Sequence, residues 1–265
     1  MTSNDDFQGE GTGDIATVRV ITERPSRLFA VGDIHGCADE LQALLRALVD
    51  KEKLSSSDQV VFLGDYVDRG PATKDVISQL LEFKIRHPKT VFLRGNHEDM
   101  LLDYLGFGGR LAESCLINGG EETFDSYQVN PLQPIADVVS QMPVDHLNFL
   151  VNLELAVSLA EFLFVHAGIN PFNPLDKQLV RDVMWIRREF TTFEHNLGKT
   201  VVFGHTPFED VFLHLPFKIG IDTGLVYGNK LSAVELVHGT LYQVDRGNSS
   251  IQQSSLRQRL DSRPK

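Results

Sequence analysis

Cysteine is nearly absent from this chain: only Cys37 and Cys115 occur in 265 residues. They lie far apart and match no zinc-ligand spacing. That argues against a disulfide scaffold and for a reducing, cytoplasmic setting. An excess of basic charge is also missing. Lysine and arginine number 25 against 36 aspartates and glutamates, a formal net charge of −11. A general nucleic-acid binder carries a basic stripe, so no nucleic-acid partner is expected. The acidic surplus reads as a solvated surface. No apolar run reaches membrane-spanning length, so no membrane partner is expected either. The N-terminus, MTSNDDFQGEGTGD, is acidic and polar where a secretory signal is basic and then apolar. No repeat, internal linker or interface motif stands out, and the oligomeric state stays unassigned.

What is present is a folded middle between two polar ends. Residues 1–24, rich in Gly, Asp, Ser and Thr, read as a loose arm, and residues 247–265 read as a loose tail. Residues 25–246 are then the domain. Its first half alternates short apolar strands with amphipathic helices. RLFAV (27–31), VVFL (60–63) and TVFL (90–93) are the strands. Leu41, Leu44, Leu45 and Leu48 mark the first helix face, and Val76, Ile77, Leu80 and Leu81 the second. This is a βαβαβ core with parallel strands, hence an α/β fold. The second half reads as more antiparallel, with a hairpin over residues 155–166 and further strands at 201–203, 218–222 and 231–236. A helix is expected over 143–153, and the Gly-rich stretch 106–130 reads as an irregular loop or lid.

Each early strand runs into a glycine followed by acidic, amide or imidazole residues. In open α/β sheets ligands bind at the carboxyl ends of strands, so these clusters converge. Counting such ends gives Asp33, His35, Asp65, Asn96, His166 and His205 as candidate metal ligands. All offer oxygen or imidazole nitrogen and none a thiolate, a mixture that suits manganese, iron or zinc. Three ligands per ion around a shared carboxylate make a two-metal clamp, with the ions roughly 3.5–4 Å apart. Gly32, Gly64, Gly95 and Gly204 each precede a candidate ligand and let backbone approach the site. His97 and Asp68 suit each other as an oriented imidazole and its carboxylate. Arg69, Arg94 and Arg187 suit bidentate contact with phosphate.

The blocks GDIHG (32–36), GDYVDRG (64–70), RGNHE (94–98), VHAG (165–168) and GHT (204–206) are similar, in content and order, to those of the metallophosphoesterase (calcineurin-like) superfamily. Within it the chain resembles the phosphoprotein phosphatase family. Its compact length and the NGG (118–120), WIR (185–187) and IDTG (221–224) blocks resemble the bacterial and bacteriophage serine/threonine branch. The resemblance implies a four-layer αββα sandwich and two divalent ions, manganese foremost. It implies Asp33 and His35 on the first ion, Asp65 bridging, and Asn96, His166 and His205 on the second. His97 would be the general acid, oriented by Asp68, and Arg69, Arg94 and Arg187 would hold phosphate. The implied activity is phosphomonoester hydrolysis on phosphoserine and phosphothreonine by direct attack of a metal-bound hydroxide, with a phosphoprotein or phosphopeptide as partner.

Two other functions compete. Symmetrical diadenosine tetraphosphate hydrolases share the GDxHGC and HAG blocks, but their pattern usually lacks the second aspartate of GDxxDRG and carries Asp after GNH. Asp68 and Glu98 therefore favour the protein phosphatase. A metal-binding scaffold without catalysis would have lost a ligand or the acid, and none is missing here. The remaining histidines take plainer roles: His87, His195, His214 and His238 at the surface, His146 in a structural helix position. Cys37 reads as a packing residue, and Asp222 as support for a metal histidine.

Overall fold

The computed structural model describes residues 13–256. Their strands form two mixed six-stranded sheets. The chain enters through β1 (Val18–Ile21) and β2 (Leu28–Val31), then α1 (Ala38–Arg46), β3 (Gln59–Phe62), α2 (Thr73–Arg86), β4 (Val91–Phe92) and α3 (Asn96–Tyr104). Three helices follow, α4 (Gly120–Tyr127), α5 (Ile135–Gln141) and α6 (Val144–Val151). The second half runs through β5 (Ala156–Leu159), β6 (Phe162–Val165), α7 (Val180–Trp185), α8 (Arg188–Thr192), β7 (Thr200–Phe203), β8 (Phe212–His214) and β9 (Lys218–Gly220). It ends in a meander of β10 (Lys230–Glu235), β11 (Thr240–Asp245) and β12 (Ile251–Ser255).

One sheet has the order β12-β11-β10-β2-β3-β4 and the other β1-β5-β6-β7-β9-β8. Strands β2, β3 and β4 are parallel, as the βαβαβ reading requires. β2 and β3 are buried along their whole length, which suits strands covered on both faces. Alternation assigns the two faces. Leu28, Ala30 and Val61 meet Val157, Phe164 and Val202 of the other sheet in the space between them. Phe29, Val31, Val60 and Phe62 face α1 and α2, whose Leu41, Leu44, Val76, Ile77 and Leu80 close a second core. On the far side Leu163, Val165, Val201 and Phe203 pack with Val183, Met184 and Phe190 of α7 and α8. The result is the expected four-layer αββα sandwich.

Several local expectations are corrected. β1 lies inside the segment read as an arm, yet pairs in parallel with β5 from Val18↔Ala156 to Ile21↔Leu159. β12, in the segment read as a tail, pairs with β11. Residues 1–12 and 257–265, the rest of those segments, lie outside the described residues. The second half is less antiparallel than its sequence suggests: β5 and β6 do form the hairpin, but β6, β7 and β9 run parallel. The expected lid ends in a regular helix, α4. His87 and His195 are buried, His195 Nε2 lying 2.9 Å from the Phe217 carbonyl. Cys37 and Cys115 are free and buried. Among the described residues no helix is long and apolar enough to cross a membrane.

Candidate active site

The polar clusters meet at one end of the sandwich because parallel strands of both sheets finish there. β2 leads to Asp33, β3 to Asp65, β4 to Asn96 and His97 at the start of α3, β6 to His166, and β7 to His205. Contacts close the gap between sheets. The Asn96 side-chain oxygen lies 3.0 Å from His166 Nε2 and 2.8 Å from His205 Nδ1, and the His205 backbone N–H donates to Asp33 Oδ2 at 2.9 Å. Two glycines permit these approaches. A Cβ on Gly95 would collide with the Asp65 carboxylate, and one on Gly204 with that of Asp33.

The backbone is held in an uncommon shape. His35, Asp65, Asp68, Arg69 and His205 all have φ between 47° and 69°, five of the nine non-glycine residues with positive φ that are described. Such conformations persist only where surroundings enforce them, and they cluster at functional sites. Glu98 is one enforcer. Wholly buried, it accepts backbone N–H groups from Asp65, Tyr66, Val67 and Gly95 at 2.7–3.1 Å. The NGG block is another: the Gly119 carbonyl accepts the Arg69 N–H at 2.9 Å.

Hydrogen-bond accounting shows why this end suits cations. His166 Nδ1 lies 2.8 Å from the Leu63 carbonyl, which can only accept, so that nitrogen carries the ring proton. Its Nε2 is then a lone pair aimed at Asn96 Oδ1 and, at 3.4 Å, Asp65 Oδ1. His35 likewise sets Nδ1 on the Val67 carbonyl at 2.9 Å, while its Nε2, 3.3 Å from Asp65 Oδ2, takes the Arg69 Nη1 donor at 2.9 Å. Asp33 Oδ1 and His205 Nε2 are buried without a partner. Acceptors that face one another with too few donors need positive charge among them. Ligand atoms of Asp65, His166 and His205 gather within 4.8 Å, as do those of His35, Asp65 and His97. Burial holds His166 below the usual imidazole range. Burial and the nearby His166 and Arg187 hold His205 well below it, so both are neutral, as metal ligation requires.

His97 stands beside this cluster, its ring edge-on to His35 at 4.7 Å between centroids. Its Nδ1 lies 2.7 Å from Asp68 Oδ2, and its Nε2 is buried without a partner. Asp68 is itself fixed by Thr123, whose hydroxyl donates to Asp68 Oδ1 at 2.7 Å and accepts the Asp68 N–H at 2.8 Å. Nothing in the sequence had marked Thr123, because it falls in the stretch read as a loop. Arg69 joins the cluster through Nη1, 2.9 Å from His35 Nε2. Arg187, exposed at the start of α8, acts electrostatically on His205 and Asp222. Arg94 is placed differently. Its guanidinium contacts Asp99 Oδ1 at 3.5 Å and the Val151 carbonyl at 3.4 Å, and it lines a groove of about 500 Å3 with Arg19 and Arg110. Asp222 binds no histidine here: its Oδ1 accepts the Gly224 N–H at 2.9 Å.

Comparison with known proteins places this geometry. A family model described as calcineurin-like phosphoesterase matches residues 26–239. An asymmetrical bis(5'-nucleosyl)-tetraphosphatase from Oceanobacillus iheyensis is 28% identical over 78% of this chain and 87% of its own. One from Bacillus thuringiensis is 27% identical over 77% of this chain and 88% of its own. A crystal structure of a candidate diadenosine tetraphosphatase is 26% identical, with TM-score 0.66, over 88% of this chain and 99% of its own. A cold-active protein tyrosine phosphatase shares the fold at 17% identity, with TM-score 0.56, over 90% of this chain and 81% of its own.

These relatives correct the expectation of a serine/threonine protein phosphatase with a phosphoprotein partner, and the symmetrical alternative with it, since the curated relatives carry asymmetrical nucleotide-hydrolase names. Burial explains the error. Asp68 and Glu98, the two residues that tipped the choice, are 0% exposed: one stands behind His97 and the other is wrapped in backbone N–H groups. Neither faces a substrate, so neither reports on which substrate is used.

Proposed function

The chain belongs to the calcineurin-like phosphoesterase family, and on that premise we propose that it hydrolyses dinucleoside tetraphosphates asymmetrically, to a nucleoside triphosphate and a nucleoside monophosphate. The observation that carries this reading is the agreement of the nucleotide-hydrolase relatives over nearly the whole domain. With its unpaired cysteines, a cytoplasmic setting fits.

In this reading Asp33, His35 and Asp65 hold one divalent cation, and Asp65, Asn96, His166 and His205 hold a second, manganese foremost. Bound there, the ions supply Lewis acidity toward a phosphate ester. The chain's own residues do the rest. His97 keeps its Nδ1 proton on Asp68 and, in its imidazolium form, delivers a second proton from Nε2 to the leaving phosphate oxygen, returning to the neutral ring that burial favours. Arg69 and Arg187 hold phosphate oxygens beside the acceptors. Arg94, tied to Asp99 and the Val151 carbonyl, is left out of this phosphate-holding set. The buried setting of His97 and Asp68 strengthens their charge interaction relative to water.

The test is product analysis. Manganese-loaded protein is incubated with diadenosine tetraphosphate and the nucleotides are separated. Equal amounts of ATP and AMP, abolished by a chelator, are expected. Two molecules of ADP would overturn the asymmetry, and an intact substrate would overturn the reading. Asp65→Asn should bind less metal by elemental analysis; full metal content would sink its shared-ligand role.

A further inference from the structure

Tyr227 is an aromatic side chain that no reading of the motifs had singled out. It is 63% exposed, yet it stands at the site rather than on a remote surface. The Arg69 guanidinium lies over its ring, 5.4 Å from the centroid, and the same guanidinium is 2.9 Å from His35 Nε2. Two short steps therefore join the ring to a proposed metal ligand.

The backbone that carries the ring is also held in place. It closes a single helical turn, Leu225–Tyr227, bracketed by Gly224 at φ 68° and Gly228 at φ 94°. Asp222 pins the first glycine through its N–H, and Thr223 Oγ1 donates to the Lys230 carbonyl at 2.7 Å. Asn229 Nδ2 donates to the Glu209 carbonyl at 2.9 Å. A large aromatic ring kept in water is unfavourable unless something covers it. With one face occupied by a guanidinium, the open side suits a flat, electron-poor ring.

We infer that Tyr227 is a nucleobase platform: it stacks the base of the nucleotide whose phosphate Arg69 holds. The inference rests on the nucleotide-hydrolase reading for its substrate class. Stacking on an aromatic side chain is tolerant of base identity, because every base has a π-face. Purine dinucleotides of either kind should then be accepted alike.

The test separates this inference from the activity that motivates it. Binding of AMP and of ribose 5-phosphate, which carries no base, is measured by calorimetry on manganese-loaded wild type, Tyr227→Phe and Tyr227→Ala. Wild type and Tyr227→Phe should prefer AMP by about 10-fold, the range expected of one stacked base, and Tyr227→Ala should lose the preference. Equal preference in Tyr227→Ala would overturn the platform. So would an equal weakening of both ligands, which would mean that the ring only steadies Arg69. If AMP is preferred through Tyr227 while diadenosine tetraphosphate is left uncut, the platform stands and the proposed reaction falls.

Discussion

Replacing Thr123 by valine removes one hydroxyl and leaves the side-chain shape almost unchanged. In the wild type that hydroxyl does two things at once, donating to Asp68 Oδ1 at 2.7 Å and accepting the Asp68 N–H at 2.8 Å. Thr123 and Asp68 are both fully buried, so water cannot take over either role. The lost bond to a charged acceptor is worth about 1.5–3 kcal/mol, and the stranded N–H adds about 1–3 kcal/mol. A loss of about 4 kcal/mol follows. With a urea slope of about 3 kcal/mol per M, the upper end for ordinary domains, the midpoint falls by about 1.3 M. Thr123→Ser keeps the hydroxyl and loses one methyl group, worth about 1 kcal/mol. The same comparison reads function. Asp68 freed on one side holds His97 less well, and a small displacement of a proton donor lowers turnover by about 10- to 100-fold. Urea unfolding of chelated protein and turnover of manganese-saturated protein are the two assays. If valine and serine variants unfold at the same urea concentration and turn over alike, the hydroxyl does not hold Asp68 and the reasoning fails.

Two further outcomes are expected. His97→Asn should lower turnover by about 100- to 10,000-fold while bound metal stays at the wild-type level; metal lost along with activity would make His97 a ligand rather than the proton donor. Asp58→Asn removes the partner of Arg27, 2.6 Å away. Burial pushes the Asp58 carboxyl up, but hydrogen bonds from Arg27 and Ser55 outweigh it and leave it below its ordinary 3.8. A depressed carboxyl stabilises the fold above its unfolded pKa and ceases to do so as the pH falls through the folded one. The variant should therefore unfold in less urea than wild type at pH 7, with the gap closing below pH 3.8; an undiminished gap at low pH would refute the assignment.

The parts of the fold that could be read from sequence are those where one signal is strong enough by itself. β2 is an unbroken apolar run and β3 is one after Gln59, and each leads to a Gly-Asp pair, so both the strand and its chemical end are visible. β12, with the sequence IQQSS, has no such pattern; it is a strand because β11 offers it an edge. β1 likewise takes its shape from β5. α4 was hidden by Gly119 and Gly120, which look like loop but turn the chain against Arg69 and open the helix. The convergence of Asp33, His35, Asp65, Asn96, His166 and His205 was legible because they sit at strand ends whatever the strands' neighbours are. The arginines were harder. Arg69 touches His35, whereas Arg94, two residues from Asn96, contacts Asp99 and Val151 instead. Substrate class was not legible at all from Asp68 and Glu98, since both point inward.

The left-handed backbone at Asp65, Asp68 and Arg69 bears on how this protein responds to selection. At each of these positions glycine would relieve a conformation unfavourable for a side chain, by about 1 kcal/mol or more. At Asp68 the bonds to Thr123 and His97 outweigh that relief, so the carboxylate is anchored by the fold itself. At the half-buried Arg69 no such anchor exists, and a laboratory search rewarding only heat resistance would be drawn toward glycine there, at the expense of the guanidinium beside His35. Durability and reactivity are thus in conflict at that one residue and aligned at its neighbour.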